Sequence, residues 1–277
     1  MKGREVVKDI QPGRYDNISI DDYHRNYPGW SKSALDKVHR SMAHYLSELE
    51  SPKEQTEAMF FGSAFHTAIL EPLLFEKSYF SMPKIDKRTK EGKEEYARQI
   101  LNNVGKQPLS EDQFDRIEAM RKSINEHPIA GNLFVNGDAE HSFFWIDKTT
   151  GLLCKCRPDY LRRDGICVEL KTTKDASYDS FQKDIANFRY YVQGSFFRDG
   201  INACNVECNE FLICAVETEA PFNVNVFRLD NESLNAGRVA YNGDLYRVKQ
   251  FFETEESERF AGYLPVVHDM YLPPWIK

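Results

Sequence analysis

Two acidic residues and a lysine lie within one short stretch of this chain. Asp159 follows an Arg-Pro dipeptide, and a single leucine separates Glu169 from Lys171. Between the two acids, Asp164-Gly165 is a turn signal that precedes an apolar run typical of a buried strand. Residues 151–157 are also predicted to form a strand. Two adjacent antiparallel strands would then place the two carboxylates side by side at one end of a sheet.

Carboxylates held this close repel each other unless a cation lies between them, and oxygen ligands of this kind suit Mg²⁺ or Mn²⁺. Lys171 is two residues beyond Glu169, so both side chains leave the same face of the strand. An ammonium group there could polarise a water or stabilise a phosphate in a metal-assisted phosphodiester hydrolysis. The alternative is an exposed hairpin with a surface ion pair, since 29% of the residues are charged.

Three further residues are candidates for the same site. His66 lies in a segment of small and apolar residues that predicts a closely packed helix, where it is either a metal ligand or a hydrogen-bonded core residue. Glu140 opens a predicted strand, as a third carboxylate of the sheet or as a solvated residue. Gln193 lies off the apolar stripe of a predicted helix, where it could bind a phosphate or a base edge, or remain at the surface.

The order of these segments resembles the PD-(D/E)xK nuclease superfamily. The resemblance is strongest to the phage and prophage exonucleases of the RecE type, which are exodeoxyribonuclease VIII-like. The matching stretches are WSKSAL at 30–35, SMAHY at 41–45, FGSAFHTAILEP at 61–72, EHSFFWID at 140–147, CKCRPDYL at 154–161, VELKTT at 168–173, RYYVQGSFFRDG at 189–200 and LPPW at 272–275.

The resemblance implies an α/β fold with a mixed central β-sheet flanked by helices, a restriction-endonuclease-like core with an N-terminal helical extension. We expect a single nuclease domain over residues 1–277. Its mainly helical part, 1–130, would carry His66, and its sheet core, 131–277, would carry the acids and the lysine.

The resemblance also assigns roles to individual residues. His66, Asp159, Glu169 and the backbone carbonyl of Leu170 match metal-binding positions, and Lys171 matches the catalytic lysine, with Asp159 and Glu169 beside it. Two Mg²⁺ ions are expected, with Mn²⁺ as a substitute. Glu140 matches an acid that contacts the site less regularly, and Gln193 matches the glutamine of a Gln-x-x-x-Tyr helix. The family's Gln-x-x-x-Tyr pattern has Phe197 in place of the tyrosine, so a role that needs the phenol hydroxyl is not expected here.

The activity expected from the resemblance is 5′→3′ exonuclease cleavage of linear double-stranded DNA, starting at DNA ends. Its products would be single strands for a single-strand annealing protein in recombination. A homo-oligomeric ring, tetramer or trimer, is also implied. Such a ring would reconcile a net charge of −7 with DNA binding. An endonuclease of the same superfamily, and a DNA-binding or assembly module without cleavage, are the alternatives.

A protein binds DNA through a local basic surface, and its net charge does not decide binding. We therefore expect Lys155, Arg157, Arg162 and Arg163, which surround the acids, to contact phosphates. No signal-peptide pattern and no apolar stretch approaching 18 residues is seen, so a protein of the bacterial host's cytoplasm, with no membrane partner, is expected. The six cysteines include no CxxC pair, which favours reduced thiols over an iron–sulfur cluster.

The hydrophobic periodicity predicts the remaining elements. Helices are expected at 31–50, 60–71, 111–126, 178–197 and 234–252, with a sheet over 140–171 that strands 209–217 and 222–229 extend.

Overall fold

The computed structural model of this chain describes residues 10–51, 55–263 and 265–272. The helices in these ranges are α1 (Ile20–Arg25), α2 (Lys32–Arg40), α3 (Met42–Glu50), α4 (Glu57–Leu70), α5 (Pro72–Ser78), α6 (Lys90–Asn102), α7 (Glu111–Glu126), α8 (Tyr178–Asn187), α9 (Tyr190–Ala203) and α10 (Asn231–Glu253). The strands are β1 (Gly13–Tyr15), β2 (Tyr79–Met82), β3 (Gln107–Ser110), β4 (Gly137–Ala139), β5 (Ser142–Ile146), β6 (Leu153–Cys156), β7 (Tyr160–Arg162), β8 (Ile166–Thr173), β9 (Glu210–Glu217) and β10 (Val224–Arg228).

The main sheet has five strands in the order β10-β9-β8-β7-β4. Strands β8 and β9 are parallel, with Val168 opposite Leu212, and the other neighbours are antiparallel. The parallel pair is joined through α8 and α9, as a crossover connection requires. Strand β8 is at the centre of this sheet, and its residues 167–170 are buried, as expected for a strand covered on both faces.

Successive side chains of β8 point to opposite faces of the main sheet. Apolar side chains lie on both faces, and helices cover each face. Val168 and Leu170 pack in a cluster with Phe65 of α4 and Ile117 of α7. On the other face, Cys167 belongs to a second cluster. Its helical members include Leu35 of α2, Phe181 of α8, Val192 and Phe196 of α9, and Leu245 of α10. The predicted fold class, a mixed sheet flanked by helices, is confirmed. One domain over residues 1–277 remains a prediction.

The predicted continuous sheet over 140–171 is wrong in one respect. Strands β5 and β6 pair with each other and with β1 in a separate three-stranded sheet. Strand β6 ends at Cys156, just before Pro158, whose ring lacks the backbone N–H that a ladder needs. The antiparallel partner of β8 is therefore the short strand β7. The predicted turn at Asp164-Gly165 is confirmed, since the Gly165 amide donates to the Arg162 carbonyl at 3.1 Å.

Two predicted helices are each divided. The helix expected at 31–50 breaks at Ser41, which has an extended backbone and caps α3 through its hydroxyl group. The helix expected at 178–197 breaks at Arg189, whose φ of 54° lies in the left-handed region. Helix α7 has the predicted bounds and begins with a capping box formed by Ser110 and Gln113.

No helix in the described ranges is both long enough and apolar enough to cross a bilayer. The six cysteines, all within these ranges, are free thiols. The LPPW segment falls mostly outside the described residues, which end at Leu272.

Candidate active site

The hairpin β7–β8 brings Asp159 and Glu169 together, as the sequence predicted. The backbone amide of Asp159 donates to Oε1 of Glu169 at 3.1 Å. The backbone amide of Leu170 donates to Oδ2 of Asp159 at 2.7 Å. Each carboxylate therefore binds the backbone beside the other, and both are buried. The carbonyl role predicted for Leu170 remains a prediction.

Glu169 is also the meeting point of Lys171 and Gln193. Lys171 Nζ donates to Oε2 of Glu169 at 2.7 Å, and Gln193 Nε2 donates to the same oxygen at 2.6 Å. The lysine nitrogen lies 5.5 Å from the ring centre of Tyr190, close enough for a cation–π contact. Gln193 is thus buried in the site and is not a surface residue.

Burial and mutual charge set the protonation of this group. Burial raises the pKa of Glu169, which is 1% exposed, and the charge of Asp159 raises it further. Burial alone would lower the pKa of Lys171, but the carboxylates of Glu169 and Asp159 outweigh it and raise that pKa above its usual value. The carboxylates therefore favour the protonated, cationic form of Lys171.

A second group of ligands forms beside the hairpin. His66, Glu140 and Asp159 each place one ligand atom within 4.8 Å of those of the other two. Nδ1 of His66, on α4, lies 3.6 Å from Oδ1 of Asp159. One imidazole and two carboxylates form a donor set that suits a divalent metal such as Mn²⁺ or Mg²⁺. Both oxygens of Glu169, by contrast, are bonded within the protein.

Glu140 occupies an unusual position in this group. It lies between β4 and β5 with φ at 57°, a left-handed conformation that is unfavourable for a residue other than glycine. Its amide donates to the Asp159 carbonyl at 3.1 Å, and its carboxylate accepts from Arg157 Nε at 2.7 Å. Burial, together with the charge of Asp159, raises the pKa of Glu140 to about 7.

The other two members of the group, His66 and Asp159, shift each other's pKa. Burial alone would raise the pKa of Asp159, but the charges of His66 and Lys171 lower it. Burial alone would lower the pKa of His66, but the carboxylate of Asp159 raises it. Three carboxylates, those of Glu140, Asp159 and Glu169, thus converge in this site, and a divalent cation could replace the proton of His66 as the partner of Asp159.

An open cleft of about 240 Å³ gives access to Glu140 and Asp159. Glu140, Asp159 and Gln193 line one part of it, and Lys32 at the start of α2 lines another. Lys32 and Tyr190 were not singled out from the sequence, although both fall within stretches that matched the exonucleases. A lysine or tyrosine in such a stretch has no spacing signal of its own.

The side chain of Lys155 is held by the protein, and its predicted phosphate contact stays a prediction. Lys155 is only 5% exposed, and its Nζ donates to the backbone carbonyls of Tyr23 and Tyr27 at 2.6 and 2.7 Å. Its position on β6 directs it against the chain around α1, so it ties that segment to the second sheet, and it also lines the cleft.

The three arginines differ in exposure and in their partners within the protein. Arg157 lines the cleft, but its side chain is 11% exposed and binds Glu140, the Ile18 carbonyl and Ser142 Oγ. Arg162 is paired with Asp164 at 2.6 Å. Arg163 is exposed in the turn of the hairpin, at the end opposite Lys171. Phosphate contacts by these arginines remain predictions.

Comparisons with solved structures agree with the observed fold. A crystal structure of a protein named "putative exonuclease", from Eubacterium rectale, is similar with a TM-score of 0.57 and 13% sequence identity. The match covers 86% of this chain and 88% of that one. A second structure, SSO0001, matches over 76% of this chain and 84% of its own at 12% identity, but its TM-score is 0.29. At these identities the first likeness concerns the fold alone, and the second carries no weight.

No curated protein matches this chain at a significant level. A protein family does match, over residues 31–264, which is most of the chain. That interval contains each residue of the acid, histidine and lysine group described above. The chain therefore belongs to the family DUF3799, which is described as a PDDEXK-like domain of unknown function.

Proposed function

We propose that this protein is a metal-dependent deoxyribonuclease. The observation that carries the proposal is the grouping of His66, Glu140 and Asp159 within 4.8 Å of one another, beside a lysine bonded to a buried glutamate. Membership of a PDDEXK-like family supports it. So does the name "putative exonuclease" of the Eubacterium rectale protein, which has a similar fold.

Each residue of the group has a proposed part in phosphodiester hydrolysis. His66, Glu140 and Asp159 would hold a first divalent ion. Glu169 and the Leu170 carbonyl would provide further ligands if two ions bind. Mg²⁺ or Mn²⁺ would supply a water of lowered pKa and would neutralise charge on the phosphate. Lys171 keeps its proton and would orient the attacking water or stabilise the phosphate oxygens. Gln193 holds the carboxylate of Glu169 towards Lys171.

Within this class we favour a 5′→3′ exonuclease that acts on ends of linear double-stranded DNA. Its single-stranded product would serve a recombination step with an annealing protein, in the cytoplasm of a bacterial host. The name of the similar structure supports cleavage from ends over the alternative, an endonuclease of the same superfamily. The presence of both acids, the histidine and the lysine argues against a DNA-binding module without cleavage.

Digestion of labelled DNA tests the proposal. Linear duplexes carrying a 5′ or a 3′ label, and covalently closed circles, would be incubated with Mg²⁺, with Mn²⁺ or with EDTA. We expect metal-dependent loss of linear DNA, early release of the 5′ label and intact circles. Cut circles would instead indicate the endonuclease. No cleavage of any DNA with either metal would overturn the proposed function, and Asp159→Asn is the control for a contaminating nuclease.

The oligomer is a separate proposal. A ring, tetramer or trimer, would enclose DNA in a basic interior and make digestion processive, despite the net charge of −7. Light scattering at micromolar concentration is expected to show a multiple of the 32.2 kDa chain. A monomer that digests DNA distributively would remove the ring and leave the nuclease proposal intact.

A further inference from the structure

The turn between α8 and α9 is fixed by charged groups that the proposed reaction does not use. Arg189 has a left-handed backbone, with φ at 54°, and it is only 8% exposed. Its Nη1 donates to Asp36 Oδ1 at 3.0 Å, and its Nη2 donates to Asp244 Oδ2 at 2.6 Å. One guanidinium group therefore joins this turn to α2 and to α10.

The anchors of Arg189 are themselves held in place. Asp244 is 1% exposed and lies 3.1 Å from Nδ1 of His39, and it also accepts from Arg247 at 3.2 Å. Lys32 of α2 donates to the carbonyl of Phe188, the residue before Arg189, at 2.7 Å. Phe188 and Arg189 are thus both hydrogen-bonded to residues outside α8 and α9.

The first turn of α9 begins directly after Arg189 and carries two contacts of the site. The Gln193 amide donates to the Arg189 carbonyl at 3.1 Å, so Gln193 lies one helical turn beyond it. The Gln193 side chain donates to Glu169, and the Tyr190 ring lies by Lys171. The direction in which the chain leaves Arg189 therefore sets where Gln193 and Tyr190 meet Glu169 and Lys171.

We propose that Arg189 is a positioning residue, anchored by Asp36 and Asp244, that holds Gln193 and Tyr190 against Glu169 and Lys171. A left-handed arginine is unfavourable and persists only where its surroundings impose it. Its Nε is buried without a partner among the described residues. The guanidinium is therefore oriented by the two carboxylates and not by satisfaction of all its own donors. The effect on rate rests on the proposed function, whereas the effect on geometry does not.

A second ion pair between α9 and α10 provides a matched control. Arg238 donates to both oxygens of Asp199 at 2.7 Å, and the Tyr241 hydroxyl donates to Asp199 at 2.6 Å. This pair joins α9 directly to α10 and includes no residue of the turn at Arg189. Asp199→Asn and Asp244→Asn are the same chemical change at the two pairs.

The direct readout is the side-chain amide of Gln193, observed by NMR in protein labelled at glutamine and assigned with Gln193→Ala. In the wild type we expect slow exchange with solvent and a shift typical of an amide bound to a carboxylate. Asp244→Asn and Arg189→Gly should abolish both properties, while Asp199→Asn should preserve them. Glycine accepts a positive φ without strain, so Arg189→Gly removes the anchor without imposing a new turn conformation.

The kinetic readout uses DNA digestion on variants shown to be folded at the assay temperature. We expect kcat to fall about 10- to 100-fold in Asp244→Asn and Arg189→Gly, the scale of a small misplacement of reacting groups. KM should change little, Arg189→Lys should recover part of the rate, and Asp199→Asn should keep the wild-type rate. Adding Arg189→Gly to Gln193→Ala should lower kcat less than it does alone, because both act through one contact.

The two readouts separate the positioning role from the proposed function. If the wild type does not cleave DNA, the proposed function fails, and the Gln193 amide still decides the role of Arg189. An unchanged amide in Asp244→Asn and Arg189→Gly would overturn the positioning role. An equal loss of amide protection and of kcat in Asp199→Asn would overturn it as well. Breaking an ion pair elsewhere on α9 and α10 would then have the same effect as breaking the one at Arg189.

Discussion

The hairpin and its flank contribute to the site in different ways. In the hairpin, Asp159, Glu169 and Lys171 are joined by hydrogen bonds of 2.7–3.1 Å that involve the backbone of both strands. On the flank, His66 and Glu140 come from α4 and from the segment between β4 and β5, and they meet Asp159 at longer range. Both carboxylate oxygens of Glu169 accept hydrogen bonds within the protein, whereas His66, Glu140 and Asp159 bring three ligand atoms within 4.8 Å of one another. Chemistry should therefore depend most on the hairpin, and metal affinity on the flank.

The largest effect should come from Asp159, which belongs to both regions. Asp159→Asn keeps the shape of the side chain and an oxygen for the Leu170 amide. It removes the charge that His66 and Lys171 face. We expect DNA cleavage to fall at least about 10²- to 10³-fold, the scale for loss of one electrostatic stabiliser, while the protein stays folded. Cleavage near the wild-type rate in purified Asp159→Asn would separate this hairpin from the activity.

His66→Ala tests the flank alone. If His66 is a ligand, the Mg²⁺ or Mn²⁺ concentration for half-maximal activity should rise about 10- to 100-fold, the range seen when support of a metal site is removed. Ser63→Ala, at an exposed position of α4, is the control. A lower melting temperature with unchanged metal dependence would show that His66 is only a core residue.

Glu140→Gln tests the charge on the flank through pH. The pKa of Glu140 is raised to about 7 in the folded protein, so folding favours its protonated form. Stability of the metal-free protein should therefore fall as pH rises from the usual glutamate range through about 7. Glu140→Gln should remove this fall. At pH 8 its free energy of unfolding, measured by denaturant titration, should exceed that of the wild type by up to about 3 kcal/mol. A pH-independent difference between the two proteins would contradict the raised pKa.

Metal binding should show the complementary pH dependence. Below about pH 7 a proton on Glu140 competes with the metal. The metal affinity of the wild type should therefore weaken as the pH falls. The affinity of Glu140→Gln should be lower at pH 8 and should follow a shallower pH profile, which calorimetric titration with Mn²⁺ would measure.

The smallest effects on activity should come from the basic residues around the site. Lys155→Met should reduce the free energy of unfolding by about 2 kcal/mol, since two backbone carbonyls lose a charged donor. It should leave the salt dependence of DNA binding unchanged. Arg163→Ala should leave stability unchanged, and it should lower the salt slope by about one only if this arginine contacts a phosphate. A reduced salt slope in Lys155→Met would contradict its structural role.

The hairpin could be predicted from sequence because its geometry is local. Gly165 has φ at 81°, and the turn it allows fixes which residues of β7 and β8 face each other. The placement of Asp159 beside Glu169 follows from that turn. The identity of the strand before the turn did not follow, because Pro158 ends β6 and transfers the chain to the main sheet within a few residues.

The flank and the Gln193 contact depend on tertiary packing that no local pattern specifies. A single helix over 178–197 placed Gln193 off the apolar stripe. The break at Arg189 instead leaves Phe188 exposed and Gln193 buried. No glycine marks this left-handed position, because distant carboxylates on α2 and α10 impose it. Likewise, the sequence made His66 a candidate for the site but left a core role open, because no local pattern relates it to acids almost a hundred positions later in the chain.

The parallel pairing of β8 with β9 has a consequence for how the protein acquires its site during synthesis. The ribosome releases the hairpin before α9 and β9, so Glu169 first emerges without Gln193 and without the strand that covers β8 on one edge. Long-range parallel pairing forms late because the intervening chain must close first. Nascent chains should therefore carry the acids and the lysine in an unassembled state until α9 docks. The folding step that completes the core would then also be the step that completes the site.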